Sequence, residues 1–310
     1  MLKNFKYKDT AKKHAGNIAV SVMIYAILIC IVFIILYPLF SYVSDMFMSF
    51  DDLMDSSVVY LPKELASTHV KLAVEGMDYW NAMGNSAVLC LLAAVLQMMV
   101  CTMVGYGFAR YHFPFKRVAF AAVIFTMLAP VQLLMPSLYT RFNKFDLFGL
   151  FGLISGQPLR LLDSIWPFVI MSFLGLGTKN GLYIFIVRQF FRNMPKELEE
   201  SGRIDGAGFL RIFFQIMVPN ALTIIITVFL FAFSWQWTDP YWSNLFFNNF
   251  NVLPKALSIL PNYGYYFLDP VTVTAMVHSG IILVILPILV LYLALQRFFI
   301  QGISRSGIVG

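Results

Sequence analysis

The chain has 310 residues, of which 59% are hydrophobic and 12% are charged, and its formal net charge is +6. A soluble domain carries about 25% charged residues, so this composition excludes a water-facing surface of ordinary size. It predicts an all-α, polytopic transmembrane helical bundle. The positive charge could indicate a nucleic-acid partner, but in membrane proteins such an excess concentrates in cytoplasmic loops. We therefore expect the lipid bilayer, and no nucleic acid, as a partner.

A helix needs about 20 mostly apolar residues to cross a bilayer, and six segments meet that requirement. In chain order they are 18–43, 86–108, 118–139, 164–191, 221–237 and 273–295. The first could be a signal peptide, because basic residues precede it. Its apolar core is too long for that and no small-residue cleavage site follows, so we expect this segment to be retained as a span.

The basic residues predict the orientation of the chain. If the N-terminus lies inside, most lysines and arginines fall in inner segments, whereas the first outer segment is mainly acidic. Lys and Arg impede translocation and acids have little effect on it, so both termini are predicted to be cytoplasmic. The predicted parts are a basic N-terminus (1–17), a transmembrane domain (18–299) with an external segment (45–82) and a cytoplasmic loop (192–219), and a cytoplasmic tail (300–310).

The fourth predicted span is irregular, because the run GLGTKNG places three glycines, a lysine and an asparagine within it. A lysine in the middle of a bilayer is costly unless it faces a cavity or reaches the interface, so we expect the helix to break near Lys179. Two interpretations stay open. The break is either a kink that lines a pore or a turn at the outer interface, with the true span starting near Lys179.

The segment after the fourth span predicts two short helices. Pro195 suits a first helical position, and the acids Glu197, Glu199 and Glu200 favour the positive end of a helix. Gly202 and the pair Asp205-Gly206 are expected to end this helix, with Asp205 capping the next one. The second helix has an apolar face formed by Phe209, Ile212, Phe213 and Ile216, and Pro219 marks the entry into the fifth span. Such a helix–turn–helix is suited to docking into a groove on a partner protein.

This segment resembles the E-A-A motif of ABC importer permeases, which reads Glu-Ala-Ala, three residues, Gly, nine residues, Ile-x-Leu-Pro. Here Glu200, Gly206 and Pro219 stand at the motif's spacings. Ser201 and Gly202 replace the two alanines, and Val218 replaces the leucine. Since a glycine inside a helix costs about 1 kcal/mol relative to alanine, Gly202 is expected to loosen the first helix.

The resemblance extends to the carbohydrate-uptake branch of these permeases, specifically the MalG-like subunit, a binding-protein-dependent transport system inner membrane component. The similar runs are GNSAVLC, GYGFARYHFPFKR, MLAPVQLLMPSLY, RQFFRNMPKELEESGRIDGA and the C-terminal LQRFFIQGISRSGIVG. The resemblance implies the type I ABC importer permease fold in a bacterial cell membrane. It also implies four kinds of partner: a second, homologous permease subunit, two ATPase subunits, an extracytoplasmic solute-binding protein, and a sugar substrate, expected to be an oligosaccharide or glycan.

By the same resemblance, the loop carries the coupling helix that sits in a cleft of an ATPase subunit and transmits its ATP-driven stroke. The implied ATPase contacts are Glu197, Glu200, Ser201, Gly202, Asp205, Gly206, Ala207, Phe209, Phe213 and Pro219, with Gln301, Gly302 and Ile303 from the C-terminal tail. The chain has no Gly-Lys pair and therefore no phosphate-binding loop of the G-x-x-x-x-G-K type. We expect ATP and Mg to bind the partner ATPase, and this chain to carry no cofactor, metal or catalytic residue.

Candidate substrate contacts lie at the outer end of the fifth span, where the run SWQWTDPYW offers flat apolar rings and polar groups. The candidates are Trp235, Gln236, Trp237 and Asp239, together with Lys179 and Asn180 from the fourth span. The alternative is an aromatic belt at the membrane interface, which is favoured for Trp242 and, less strongly, for the other residues of this run. His278 in the sixth span could relay protons or bind a ligand, but packing with a local hydrogen bond is the favoured interpretation.

Three other functions are alternatives to a sugar importer. The permease could import a polar solute that is not a sugar. An ion-coupled secondary transporter would require intramembrane carboxylates and paired broken helices, and only one span is clearly interrupted. An intramembrane enzyme would require a catalytic pair within the spans, and none is evident.

The cysteines, Cys30, Cys90 and Cys101, are predicted to be small core residues without a disulfide or metal role.

Overall fold

The computed structural model describes the backbone of residues 2–146, 149, 153, 156–264 and 268–307. Side chains are described between positions 20 and 297 of those ranges, except at 131. The regular structure in this part is helical, apart from an isolated antiparallel bridge between Phe145 and Leu159. The all-α prediction is confirmed. Contacts divide the chain into two compact units, residues 1–73 with 264–282 and residues 74–263 with 283–310.

The helices of the described residues are α1 (Leu2–Phe47), α2 (Phe50–Met54), α3 (Thr68–Gly76), α4 (Tyr79–Arg110), α5 (Lys116–Leu128), α6 (Met135–Asn143), α7 (Trp166–Phe173), α8 (Asn180–Asn193), α9 (Glu197–Ile204), α10 (Phe209–Ile212), a π-helical turn (Phe213–Met217), α11 (Val218–Asn220), α12 (Leu222–Trp237), α13 (Pro240–Phe246), α14 (Leu253–Gly264) and α15 (Pro270–Gly307).

Three helices in the described part are long and apolar enough to cross a membrane: Val20–Phe47, Tyr79–Arg110 and Pro270–Arg297. A fourth candidate is the pair Phe209–Asn220 and Leu222–Trp237, whose axes are bent by 79°. The first, second and sixth predicted spans are therefore continuous helices. The third and fourth are not, so six uninterrupted spans are not observed.

The third predicted span is interrupted by proline. Helix α5 ends at Leu128, and Ala129 has an extended backbone (ψ 127°) because the ring of Pro130 disfavours the helical conformation in the residue before it. A short 3-10 turn, Val131–Leu133, leads into α6, which has Pro136 in its first turn. Proline is tolerated there, since the N–H groups of a first turn have no helical partner.

The fourth predicted span is also broken, as its glycine-rich run suggested. Helix α7 ends at Phe173 and α8 begins at Asn180. Between them Gly175 and Lys179 both have left-handed backbones, with φ of 72° and 64°. A lysine with positive φ is uncommon, and such strain persists only where the surrounding structure holds it.

In the first unit, the segment after α1 folds back towards the end of that helix. The N–H of Ala66 donates to the carbonyl of Phe47 at 2.8 Å. The buried carboxylate of Asp52 accepts from the N–H of Lys63 at 3.1 Å. This acidic residue therefore orders the segment that follows it. By contrast, the most apolar window of α1 contains no buried residue.

The cysteines divide between two environments. Cys90 and Cys101 are buried on α4, as predicted, whereas Cys30 is exposed on α1. The prediction of a core position was wrong for Cys30, because it lies in the most apolar window of α1, which contains no buried residue. An apolar stretch of sequence does not distinguish a helix that faces its own chain from one that faces lipid.

In the second unit, α4 packs against α7, α8 and α12. The contact with α8 is close because Gly105 presents no side chain to Val187. Gln97, buried on the same helix, donates to the hydroxyl of Ser172 on α7 at 3.3 Å. Small residues and polar pairs of this kind are typical of helix contacts inside membranes.

Asp163 organises a loop at one end of this unit. Its carboxylate accepts three main-chain N–H bonds, from Asn248, Asn249 and Phe250, at 2.8–3.0 Å. Burial by itself would raise the pKa of Asp163, but these donors and the nearby charge of Lys255 outweigh it, so the pKa lies below its usual range. The folded loop therefore favours the ionised form of this side chain.

An aromatic cluster lies beside that loop. Phe246 packs edge-on against Phe142 and Phe168, with ring centroids 5.4 and 5.5 Å apart, and Trp242 stacks on Phe246 at 5.4 Å. Trp242 is buried. The prediction that it belongs to an interfacial aromatic belt was therefore wrong, because α13 folds this ring into the core of its own unit.

Candidate functional site

The predicted helix–turn–helix is present, and glycine makes its turn. Helix α9 ends with two hydrogen bonds: the N–H of Gly206 donates to Arg203 at 3.0 Å, and the N–H of Ala207 donates to Gly202 at 2.9 Å. This is a Schellman motif with Gly206 in the left-handed conformation, at φ 77°. An added Cβ at Gly206 would meet nothing within 4 Å. Gly206 therefore matters for its backbone and not for space within the chain.

Several local predictions for this segment were wrong. Helix α9 begins at Glu197 and not at Pro195, although the predicted acids do occupy its first turn. The side chain of Asp205 does not cap the next helix, because the Schellman turn leads into extended backbone and α10 starts after Gly208. Gly202 lies inside α9, where it is buried.

Gly202 also has a packing role that its sequence position did not reveal. A Cβ at this position would lie 2.7 Å from the Cδ1 of Ile216 and 3.3 Å from the Cγ1 of Ile212. Glycine costs α9 about 1 kcal/mol of helix propensity relative to alanine, but it lets the two arms of the hairpin approach more closely.

The second arm of the hairpin bends sharply before it continues as α12. Phe213–Met217 form a π-helical turn, and α11 contains Pro219. The axes on either side of Ala221 differ by 79°. Pro219 lies just before α12, which begins at Leu222 and covers the next predicted span. π-helical turns interrupt the regular backbone bonding of a helix and are frequent at functional sites.

The exposed surface of the hairpin shares only Phe209 with the apolar face that periodicity predicted. Ile212 and Phe213 of that face are buried, and the ring of Phe213 lies 5.0 Å from that of Tyr106 on α4. The large apolar side chains left exposed are Ile204 (86% exposed), Leu210 (61%), Phe214 (53%) and Phe209 (49%). Together with the exposed acids Glu197 and Glu200, these four residues form what we term the coupling knob.

The remaining predicted ATPase contacts fall into three groups. Ser201, Asp205, Gly206 and Pro219 are exposed, Ala207 is half-buried, and Gly202 and Phe213 are buried against the chain itself. Gln301, Gly302 and Ile303 lie in the last turns of α15, but their side chains are outside the described ones.

The hairpin is joined to α4 by a buried ion pair that the sequence did not reveal. The Nε of Arg110 lies 2.9 Å from the Oε1 of Glu199, and the two side chains are only 6% and 8% exposed. Neither of these two atoms makes a hydrogen bond, so the contact between them is an ion pair only. The guanidinium also donates to the carbonyl of Met194 at 2.7 Å. An acid in a charged loop and an arginine at the end of an apolar helix offered no sequence signal for this pairing.

The predicted substrate contacts are only partly brought together. The ammonium of Lys179 lies 4.9 Å from the ring centroid of Trp235, and both side chains are exposed. Asn180, Gln236 and Trp237 are buried, and the indole of Trp237 donates to the carbonyl of Val284 at 3.0 Å.

Asp239 and His278 have structural partners. Asp239 caps α13 by accepting from the N–H groups of Tyr241 and Trp242. The Nδ1 of His278 lies 2.7 Å from a carboxylate oxygen of Asp45, and its ring stacks on Tyr42 with centroids 4.1 Å apart. The ring stacking agrees with the favoured interpretation of His278 as a packed residue, but its hydrogen-bond partner lies 233 residues away in the sequence and is not local. Among the described residues no group of three or more potential ligands could hold a metal ion.

Comparison with known families identifies the chain. Residues 101–305 match the family described as "Binding-protein-dependent transport system inner membrane component". The chain belongs to this family. A probable ABC transporter permease of Pyrococcus horikoshii is 30% identical over 220 residues, which cover 70% of this chain and 71% of that protein. The family predicted from the motifs is therefore confirmed, and the chain is a transport component.

Two further relatives of this permease have named transport systems. The arabinooligosaccharides transport system permease protein of Halalkalibacterium halodurans is 26% identical over 286 residues, 90% of this chain and 93% of its own. The maltodextrin transport system permease protein of Bacillus subtilis is 26% identical over 243 residues, 78% of this chain and 80% of its own.

A solved structure has the fold of this permease. It is a bacterial ABC transporter involved in the import of the acidic polysaccharide alginate, with a TM-score of 0.69 and 18% identity over 90% of this chain and 96% of that one. The likeness supports the predicted ABC importer permease fold.

Proposed function

We propose that this permease is the MalG-like subunit of an ATP-driven, binding-protein-dependent importer of oligosaccharides. The observation that carries the proposal is the coupling knob, an exposed apolar surface with acids beside it, on a hairpin whose residues match the E-A-A spacings. Exposed apolar side chains grouped beside charged ones are typical of a surface that binds another protein.

The coupling knob is suited to docking into an ATPase subunit, whose movement on ATP binding would then displace it. Leu210 and Phe214 would enter a groove, and the negative charges of Glu197 and Glu200 would pair with basic groups at its rim. Asp205, Gly206 and the tail residues Gln301–Ile303 complete the proposed contact. ATP and Mg stay on two ATPase subunits, and this chain supplies no catalytic group.

The remaining features of the proposal concern the membrane. Both termini and the knob are proposed to be cytoplasmic, because the basic residues concentrate in those segments. The exposed apolar side chains of α1 are available to lipid or to a second permease subunit. A solute-binding protein is proposed to deliver the substrate on the opposite side, where residues 45–82 lie.

The substrate class rests on the named relatives, which belong to arabinooligosaccharide and maltodextrin systems. The alternative is a polar solute other than a sugar, because an sn-glycerol-3-phosphate permease of Salmonella typhimurium is 24% identical over 282 residues, 88% of this chain and 92% of its own. Lys179 and Trp235 are proposed to line the path, since a ring face and a cation together suit a hydroxylated solute.

Reversal of the charge at Glu200 tests the coupling role. We expect Glu200→Lys to reduce the ATPase co-purified with the permease at least about tenfold, since like charges facing each other across an interface cost several kcal/mol. The matched control is Glu75→Lys, because Glu75 is exposed but lies in the predicted external segment. Equal ATPase recovery in the two variants would contradict the docking surface.

A second substitution tests the path. We expect Lys179→Met to lower uptake at limiting substrate several-fold in proteoliposomes that contain the full transporter. The substitution removes the cation that lies over the ring of Trp235, and such a contact contributes about 0.5–2 kcal/mol to the arrangement of the path. Arabino-oligosaccharides, malto-oligosaccharides and glycerol 3-phosphate would be supplied in parallel to identify the solute class. Lys71→Met, at an exposed position of α3, is the control. Unchanged uptake of the transported solute by Lys179→Met would remove this residue from the path.

A further inference from the structure

At the C-terminal end of α4, the single residue Arg110 contacts three residues of the loop 192–219. Arg110 pairs with Glu199 on α9, and its guanidinium donates to the carbonyls of Met194 at 2.7 Å and of Pro195 at 3.4 Å. Met194 and Pro195 connect α8 to α9. One side chain therefore joins the end of α4, the end of α8 and the first helix of the hairpin.

Aromatic packing surrounds this junction on the side of the second hairpin arm. Tyr106, one turn before Arg110, is 1% exposed. Its ring centroid lies 5.2 Å from that of Phe191, 6.2 Å from that of Phe209 and 5.0 Å from that of Phe213. Both arms of the hairpin are thus attached to α4, one by charge and one by aromatic contact.

The burial of the Arg110–Glu199 pair distinguishes it from an ordinary surface ion pair. Separating two buried charges leaves each without compensation, which is far more costly than separating an exposed pair. Glu199 has a second neighbour, Arg203, at 3.8 Å, but the Arg203 side chain is 61% exposed. Arg203 can exchange its partner for water at little cost, whereas Arg110 cannot.

We propose that Arg110 is a positioning residue that makes α9 and the end of α4 move as one body when the coupling knob is displaced. The inference rests on the proposed function, since it concerns how the stroke of the ATPase reaches the membrane helices. Helix α4 also meets the α7–α8 break, because a Cβ on Gly177 would lie 2.9 Å from the amide of Gln97. The displacement of the knob is thereby passed to the helix that lies against the break.

The test measures a distance in the complete transporter in nanodiscs. Spin labels are attached at His112→Cys, just beyond α4, and Lys196→Cys, at the start of α9, since both positions are exposed. Cys30, the exposed native cysteine, is replaced by serine. Double electron–electron resonance then compares the nucleotide-free complex with the complex trapped by ATP, Mg and vanadate. We expect one unchanged distance in both states for the otherwise unmutated chain.

Variants of the Arg110–Glu199 pair distinguish a positioning role of Arg110 from a general loss of structure. Arg110→Met should broaden the distance distribution and make it depend on nucleotide, and the ATP hydrolysed per solute transported should rise about tenfold, as a buried charge loses its partner. Exchange of the pair, Arg110→Glu with Glu199→Arg, should restore much of the coupling. Arg203→Met, which removes the exposed neighbour, should behave like the parent.

Two outcomes would overturn the inference. One is a distance between the labels that changes with nucleotide in the complex whose ion pair is intact. This result would stand even if the Arg110→Met variant failed to assemble. The other is an assembled Arg110→Met complex with parental distances and stoichiometry. Failure of the unmutated permease to bind an ATPase would contradict the proposed function instead, so the two failures are distinguishable.

Discussion

Replacement of Gly206 by valine is expected to leave the transporter assembled but to reduce substrate-stimulated ATP hydrolysis about tenfold, to near its basal rate. Gly206 has φ 77° in the Schellman turn, and a side chain there would meet nothing within the chain. The left-handed conformation costs a non-glycine residue about 1–2 kcal/mol, which corresponds to about tenfold in an equilibrium constant. Valine therefore favours a different angle between the arms of the hairpin, and the knob loses its shape.

The control is Gly206→Asn, because asparagine tolerates the left-handed conformation far better than a β-branched residue does. If backbone geometry is what matters, the asparagine variant should retain most of the stimulation. If both variants lose it, the added side chain obstructs the docked partner. Stimulation at the parental level in Gly206→Val would contradict a coupling role for this turn.

Replacement of Gly105 by leucine is expected to destabilise the membrane domain itself. An added Cβ would lie 2.7 Å from the Cγ1 of Val187 and 3.1 Å from the main-chain nitrogen of Arg188. A backbone atom and a β-branched side chain cannot turn aside, so α4 and α8 would have to separate. Overpacking of a core costs about 1–3 kcal/mol, which lowers the melting temperature of a domain of this size by about 2–12 °C.

The matched control is Gly107→Leu, two residues further along the same helix, where an added Cβ meets nothing within 4 Å. The permease carries a fluorescent tag, and the transporter is extracted in detergent and heated to a series of temperatures. Size-exclusion chromatography then measures the fraction that stays monodisperse at each temperature. We expect Gly107→Leu to melt close to the parent. Equal melting temperatures for the two variants would show that the α4–α8 contact tolerates a side chain.

Local chemistry made several features of the structure predictable. The break near Lys179 was predicted from glycines that free the backbone at their own positions, whereas the predicted span 118–139 overlooked the equally local restriction imposed by Pro130. The Schellman turn at Gly206 has the same origin, since its hydrogen bonds join residues no more than five apart. The apolar share of the composition similarly predicts helices in a membrane without reference to any contact.

Contacts between residues distant in the sequence were not predictable in this way. Nothing near Arg110 distinguishes it from other arginines at the end of an apolar helix, yet it pairs with Glu199. Periodicity located an apolar face through Phe213 but could not show that this face covers Tyr106, which leaves Phe214 exposed. Likewise, the exposure of Cys30 and the burial of Trp242 depend on which helices pack beside them.

By itself, the sequence determined that the chain is a membrane-embedded helical protein of the ABC permease family, and motif spacing located the proposed coupling segment between 195 and 219. Composition, turn residues and motif spacing can be read from the chain directly, because none of them depends on contacts between distant residues. Only the tertiary structure decided which face of the hairpin is free, that Lys179 meets Trp235, and that a buried ion pair attaches α9 to α4. These depend on desolvation and close packing, which exist only once distant segments have come together.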